Sequence, residues 1–377
     1  MSIKDLILSK DTEPITYFVN FYKITKPSSN ITDESTCKIL KTNDLIRWKI
    51  QGDELVKISS KNLGIFFDQE SYIIQWLFDL KVDNTILKES LVYNWKGQSA
   101  TKGYSPLPSE IEENCPVERI VQWSEPALFF HGFPGSLFTF SGQENAFNRN
   151  APHLMFIRGE VSEEIHLYEL PCLKQTLRSR ATFLLIAPKH KLFLYWHGSK
   201  SIKVNIGKPH EDLIKWEESW ADFSVQKLEE FKETSAFNDI VEGADLGLQK
   251  PLLKSDFSPK LFYLNSITGR FLATKVEYPL RADNVIAPFP FLQSHLYTAA
   301  QPAIFLLDND TDVWLWKGLV DDSNNEAFKA ELKFANELAE NYVKEKEVIL
   351  SENVTLHFVS AGKEPADFKV IFPFWKD

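Results

Sequence analysis

LVYNWKG at 91–97, LFLYWHG at 192–198 and VWLWKG at 313–318 are three versions of one pattern: an aromatic, β-rich strand that runs into tryptophan and, two residues later, glycine. The closing glycines Gly97, Gly198 and Gly318 lie roughly 100–120 residues apart, the length of one small domain rather than of a short solenoid repeat. Upstream of each lies a second apolar strand, SYIIQWLF at 71–78, ATFLLIA at 181–187 and AIFLLD at 303–308. Short polar turns, Pro188 to Lys191 and Asn309 to Asp312, join the last two pairs as β-hairpins, whereas the first connection stretches across Asp79 to Ser90. A Glu-Pro dipeptide closes the first and third modules, Glu125-Pro126 and Glu364-Pro365, and the second offers Glu242-Gly243 at the matching place. The chain reads as three copies of one module.

Strands as continuously apolar as FLLIA and IFLLD are buried on both faces, so each sheet needs a covering element on each side. In the third module the pattern switches to helical period after the hairpin. Ser323 and Glu326 have capping-box spacing, and Phe328, Leu332, Ala335, Ala339 and Tyr342 form one face of a helix reaching about Lys346. In the second, Leu213, Trp216, Trp220 and Phe223 recur at helical spacing after Pro209. In the first, Pro106 and Pro108 stand where the helix should begin and leave room only for a short one over 109–114. Shorter helices over 60–66, 171–177 and 289–296 are candidates for the opposite faces.

Composition narrows the function classes. With 377 residues, 44% hydrophobic and 13% aromatic, the chain can build several cores, and its net charge of −10 opposes a nucleic-acid partner, whose binding rests on clustered Lys and Arg. Three scattered cysteines imply neither a disulfide framework nor a zinc site and fit a reducing, cytoplasmic setting. The N-terminal MSIKDLILSK lacks signal-peptide architecture, and no apolar run approaches a transmembrane span. No nucleophile elbow, phosphate-cradling loop or Cys/His cluster argues for an enzyme, and the apolar setting of Cys172 suits a structural thiol.

The order of these elements resembles the gelsolin/villin family, and within it the last three gelsolin-like repeats of the supervillins. ALFFHGFPGSLFTFSG at 127–142, LMFIRGEV at 154–161, LRSRATFLLI at 177–186, FPFLQSHLYTAAQPAIFLLDNDTDVWLWKG at 289–318 and the terminal VIFPFWKD carry the likeness, which covers roughly residues 40–377. It implies an α+β fold of three gelsolin-like domains, over 1–135, 136–258 and 259–377. Each would be a central mixed five- or six-stranded sheet between a long and a short helix. It also implies a non-catalytic, cytoplasmic protein of the actin cytoskeleton, in which the long helix of a repeat wedges into a cleft on actin and calcium often unlocks that surface. The alternative is a scaffold that has lost direct actin contact and joins other cytoskeletal or membrane-cortex proteins. The chain stops at Asp377 before any headpiece, as a short relative or an excerpt would.

The family's calcium site draws on a G-D-x-Y turn and a glutamate of the long helix. The resemblance places Glu70, in the stretch Asp68 to Tyr72, at the aspartate of the first copy, with Glu110 as the helix candidate. Ser179-Arg180 and Ala300-Gln301 stand at the turn in the later copies, so calcium is not required and the first repeat is the one place for it. Asp308, Asp310 and Asp312 imitate an EF-hand start but meet Val313 where its glycine is needed. Arg178, Arg180, Lys189, His190 and Lys191 are the candidate basic patch for phosphoinositide headgroups or for actin's acidic surface, against a bland reading as solvated turn residues. On the third helix, Phe334 and Leu338 are the apolar residues best placed to face a partner.

Overall fold

The computed structural model describes residues 37–376 except 83–84, 102–105, 134, 160, 162–163, 203–204, 244–256, 267–269, 277–285 and 320–325. The capping pair's Ser323 and the stretch 1–10 lie outside the described residues. In chain order the strands are β1 (Cys37–Gln51), β2 (Glu54–Lys57), β3 (Ile65–Phe67), β4 (Ser71–Val82), β5 (Thr85–Lys96), β6 (Val117–Val121), β7 (Leu137–Phe140), β8 (His153–Arg158) and β9 (His166–Leu170). They continue with β10 (Thr182–Ala187), β11 (Leu192–His197), β12 (Ser224–Glu229), β13 (Lys260–Asn265), β14 (Leu272–Lys275), β15 (Ile304–Asn309), β16 (Asp312–Lys317) and β17 (Thr355–Ser360). The helices are α1 (Ala127–His131), α2 (Pro209–Trp216), α3 (Ser235–Ile240), α4 (Gln293–Tyr297), α5 (Glu326–Leu350) and α6 (Ala366–Lys369).

The strands make three mixed sheets, ordered β2-β1-β4-β5-β6, β12-β11-β10-β8-β9-β7-β3 and β14-β13-β15-β16-β17. In each, the W-x-G strand is antiparallel to the strand before it and parallel to the one that follows the covering segment, β6, β12 or β17. The middle sheet has seven strands because β3, which lies between β2 and β4 in the chain, pairs with β7 instead of joining its sequence neighbours. The first hairpin differs from expectation. Residues 79–82 and 85–90 are strand, with Asp79 opposite Lys88, so the long connection is an extended arm of the same hairpin.

The tryptophan explains why the pattern recurs. Its indole N–H is buried and donates to a carboxylate beyond the next strand: Trp95 to Glu125 at 2.9 Å, Trp196 to Glu233 at 2.9 Å and Trp316 to Glu364 at 2.8 Å. Each carboxylate precedes a short helix, α1, α3 or α6, entered through Pro126, Thr234 or Pro365. The second module's partner is therefore Glu233, not Glu242; Thr234 takes proline's place and caps α3 by accepting from the Phe237 N–H at 3.3 Å. The glycine is needed because backbone crowds it: a Cβ at Gly97 would stand 2.2 Å from the Asp68 carbonyl oxygen, and one at Gly198 2.3 Å from that of Ser179.

What covers the sheets differs among the modules. In the third, α5 spans 25 residues and buries Phe328, Ala335, Ala339 and Tyr342 on its sheet, the face that the periodicity predicts. Near its end, the Lys346 ammonium and the Tyr342 hydroxyl, the latter at 2.6 Å, both donate to the buried Asp308 carboxylate at the β15–β16 turn. Asp308 is thus an internal anchor rather than an acidic tip. In the second, α2 stops at Trp216, with Trp220 in a separate 3₁₀ turn, so the expected helix is cut short at Glu217. In the first, 109–114 forms turns, not a helix, and Ile111 with Leu107 and Cys115 packs over Trp48, Ile73 and Val92. The short helical pieces before the hairpins are present as 3₁₀ turns at Ser60–Asn62 and Lys174–Thr176 and as α4.

Two consequences are measurable by urea denaturation. Gly198→Ala drives a methyl into the Ser179 carbonyl and should cost about 1–3 kcal/mol, whereas Gly207→Ala, where a Cβ meets nothing within 4 Å, should cost only about 1 kcal/mol for its left-handed φ. Lys346→Met leaves the Asp308 carboxylate buried without its cation and should cost about 3–5 kcal/mol, much of it recovered in Lys346→Met with Asp308→Leu.

Candidate functional site

The turn that leads into the hairpin sits against the W-x-G glycine in every module, and its backbone fixes the register between copies. The N–H groups of Gly97, Gly198 and Gly318 donate to the carbonyls of Glu70, Ala181 and Ala303. The residues that match Gln69-Glu70 are therefore Arg180-Ala181 and Pro302-Ala303, one and two positions beyond the sequence alignment. Neither alanine offers a side-chain oxygen, so a carboxylate stands at this position in the first module alone.

There the carboxylate is already engaged. Lys49, inward-facing on β1, puts its ammonium 2.6 Å from Glu70 Oε1 and 3.4 Å from Glu144 Oε2. The Tyr72 hydroxyl donates to Glu70 Oε2 at 2.5 Å, and the Glu144 N–H donates to Oε1 at 3.1 Å. Arg47, two residues earlier on the same strand face, donates to the carbonyls of Asn62, Leu63 and Ile65 at 2.7, 2.9 and 2.6 Å. Its guanidinium lies over the rings of Phe66 and Tyr72, and burial pulls its pKa down to about 10. Calcium takes six to eight oxygens at about 2.3–2.6 Å, and here the Glu70 carboxylate is already taken up by an ammonium and a hydroxyl. Glu110 is exposed in the 109–114 turns and forms no part of this cluster. Among the described residues, no group of three His, Cys, Asp or Glu side chains is placed to hold a metal ion. The residues present do not fit calcium at Glu70.

The basic candidates are not brought together. Arg178 is buried, donating through Nε to the Phe372 carbonyl at 3.0 Å and through Nη1 to those of Gln175 and Leu177, and burial lowers its pKa to about 10. Arg180 is buried as well and donates to the carbonyls of Phe257 and Pro288. Lys189, His190 and Lys191 are exposed at the far end of strand β10, with Lys191 paired to Asp222. The two arginines are seams between parts of the chain, and sequence reasoning misread them because a guanidinium can spend its donors on main-chain carbonyls as well as on anions.

On α5, Phe334 is 53% exposed, and its ring is tilted against that of Phe271 with centroids 5.9 Å apart. Leu338 is half-buried and packs on the sheet beneath the helix. Val348, 78% exposed, was not singled out by sequence reasoning although it continues the outer stripe. Ala330, Phe334, Glu337, Asn341, Lys344 and Val348, at spacings of three and four, are all exposed.

The chain matches no family model. It is 28% identical over 368 residues to supervillin of Bos taurus, a match that covers 87% of this chain but 17% of that protein. It is 25% identical over 345 residues to gelsolin of Xenopus laevis, covering 87% of this chain and 75% of the relative. A solved complex of Thorarchaeota 2DGel3 with rabbit actin overlaps 59% of this chain and 99% of its own, at 17% identity and a TM-score of 0.20. No helix among the described residues is long and apolar enough to cross a membrane. Along most of its length the chain is thus similar to proteins of the gelsolin/villin family.

Proposed function

We propose that this chain is a non-catalytic binding module of the actin cytoskeleton, made of three repeats over 1–135, 136–258 and 259–377, that meets actin filaments through α5 with little or no control by calcium. The observation that carries the reading is α5 itself. It is a rigid 25-residue helix, held at its C-terminal end by the buried Asp308, Tyr342 and Lys346, and it presents an unbroken outer stripe with Phe334 and Val348 among polar residues. A helix so fixed loses little freedom on docking, and a few apolar anchors amid polar side chains suit a reversible contact. The likeness to gelsolin and supervillin supports reading such a contact in a cytoskeletal setting. Calcium insensitivity is supported by the ammonium at Glu70 and by the alanines at the two matching positions. A phosphoinositide role draws no support from Arg178 and Arg180, whose guanidinium groups are buried.

A second reading, a scaffold without direct actin contact, is favoured by one observation: α2 has eight residues and the first module has turns in place of the long helix. Only α5 among the described helices has the length for a wedge. Cosedimentation with filamentous actin decides between the two. The chain should pellet equally in calcium and in chelator, and Phe334→Asp should weaken binding by about tenfold, the loss expected of one interface anchor. Failure of the unaltered chain to pellet would leave the scaffold reading.

A further inference from the structure

We infer that the Lys49 ammonium is a built-in cation that clamps the first sheet to the second, filling the role of a divalent ion at the one turn that keeps a carboxylate. The inference rests on the reading of little or no calcium control and supplies its cause.

The junction brings together two acids from parts of the chain that are distant in sequence. Glu70 ends the turn before β4 of the first sheet, and Glu144 opens the 3₁₀ turn after β7 of the second. The turns are stitched by backbone as well: the Asp68 N–H donates to the Phe140 carbonyl at 2.9 Å and the Gln69 N–H to that of Gly142 at 3.1 Å. The Gly142 N–H returns a bond to Asp68 Oδ1 at 2.7 Å. This geometry brings the buried Glu70 and the partly exposed Glu144 to within reach of one ammonium, and without a cation between them the two carboxylates repel. Only 10% of the Lys49 side chain and 6% of that of Glu70 are exposed, so water and salt screen the contact little.

The strand makes this cation permanent. Side chains alternate along β1, so Arg47 and Lys49 share a face while Trp48 packs on the other with Ile73 and Val92. Arg47 holds the chain at residues 62–65 by its carbonyls and Lys49 holds it at Glu70, and between these two points lies most of β3, the strand lent to the second sheet. A free ion at this place would come and go with its concentration. A lysine fixed in a paired strand does not, and its ammonium supplies three donors to acids that a hard cation would otherwise bridge. The same chemistry recurs in the third module, where Lys346 holds Asp308.

The experiment uses the full chain with calcium as the probe. Melting and amide exchange are followed in millimolar calcium and in chelator for the unaltered chain, for Lys49→Ala, and for Lys49→Met combined with Glu70→Gln. The unaltered chain should melt at one temperature in both. Lys49→Ala should melt lower in chelator, regain about 5 °C in calcium, and exchange the amides of 140–144 about tenfold faster in chelator than the unaltered chain does. The neutral double variant should also exchange 140–144 faster and be indifferent to calcium. Lys49→Ala that ignores calcium and keeps the exchange of 140–144 unchanged overturns the clamp. If that variant does not fold, unchanged exchange in the double variant overturns it and accelerated exchange supports it. Actin pelleting run alongside separates the two ideas: calcium-dependent pelleting of the unaltered chain with a calcium-blind junction sinks the functional reading and leaves the clamp standing.

Discussion

A buried indole N–H costs free energy unless it finds an acceptor, and in each module of this protein the tryptophan of the W-x-G strand finds one. The tryptophan lies at the inner end of a central strand, and its donor reaches a glutamate that the chain can supply only after running through the covering segment and one more parallel strand. The bond therefore closes each module between residues 30 to 48 apart. A hydrogen bond to a charged acceptor contributes about 1.5–3 kcal/mol, and the carboxylates draw further donors: Tyr168 on Glu125, Tyr297 on Glu364 and the Phe231 N–H on Glu233. The second residue after the last strand then turns back with positive φ, 77° at Trp123, 69° at Phe231 and 76° at Gly362. That three residue types accept one strained corner shows that the closure sets the backbone and the local sequence follows.

The same closure explains what was readable in the chain. The strand pairs stood out because both faces are buried and the runs are apolar throughout, and α5 stood out because its buried residues recur at helical spacing. Glu233 was hidden because Thr234 replaces the proline that marks its two counterparts. The turn register slipped by one and two residues because it is set by carbonyl oxygens of Glu70, Ala181 and Ala303, which no side-chain pattern reveals. Lys49, Arg47, Arg178 and Arg180 were unreadable for a common reason. A charged residue in a strand or turn reads as solvated, and only the fold brings its acceptors from as far as 95 residues for Lys49 and 194 for Arg178.

Those buried cations make the modules one body. Trp123 leaves the first module to stack on Tyr168 of the second, with ring centroids 3.7 Å apart, and Phe374 from the C-terminal segment packs on its ring at 5.1 Å. Arg178 of the second module holds the Phe372 carbonyl of that same segment. Aromatic stacking adds about 0.5–1.5 kcal/mol per pair beyond the area it buries, and the guanidinium bonds contribute more because their acceptors are desolvated.

Internal use of these surfaces narrows where a partner can sit. The faces around Arg178, Trp123 and Lys49 are consumed by the chain itself. The outer edges β6 and β12 carry exposed charge, Glu118 and Arg119 on one and Lys227 and Glu229 on the other, which discourages strand addition. Leu40 and Ile86 are exposed apolar residues on strands β1 and β5, and Phe231 is one in a turn. In the third module, by contrast, Phe334 and Val348 stand on α5, and Phe358, 62% exposed, stands on β17 on the side where Leu356 packs against the core under that helix. Apolar side chains on a helix and on the strand beside it give a partner two rigid walls to close against, which an isolated exposed residue does not.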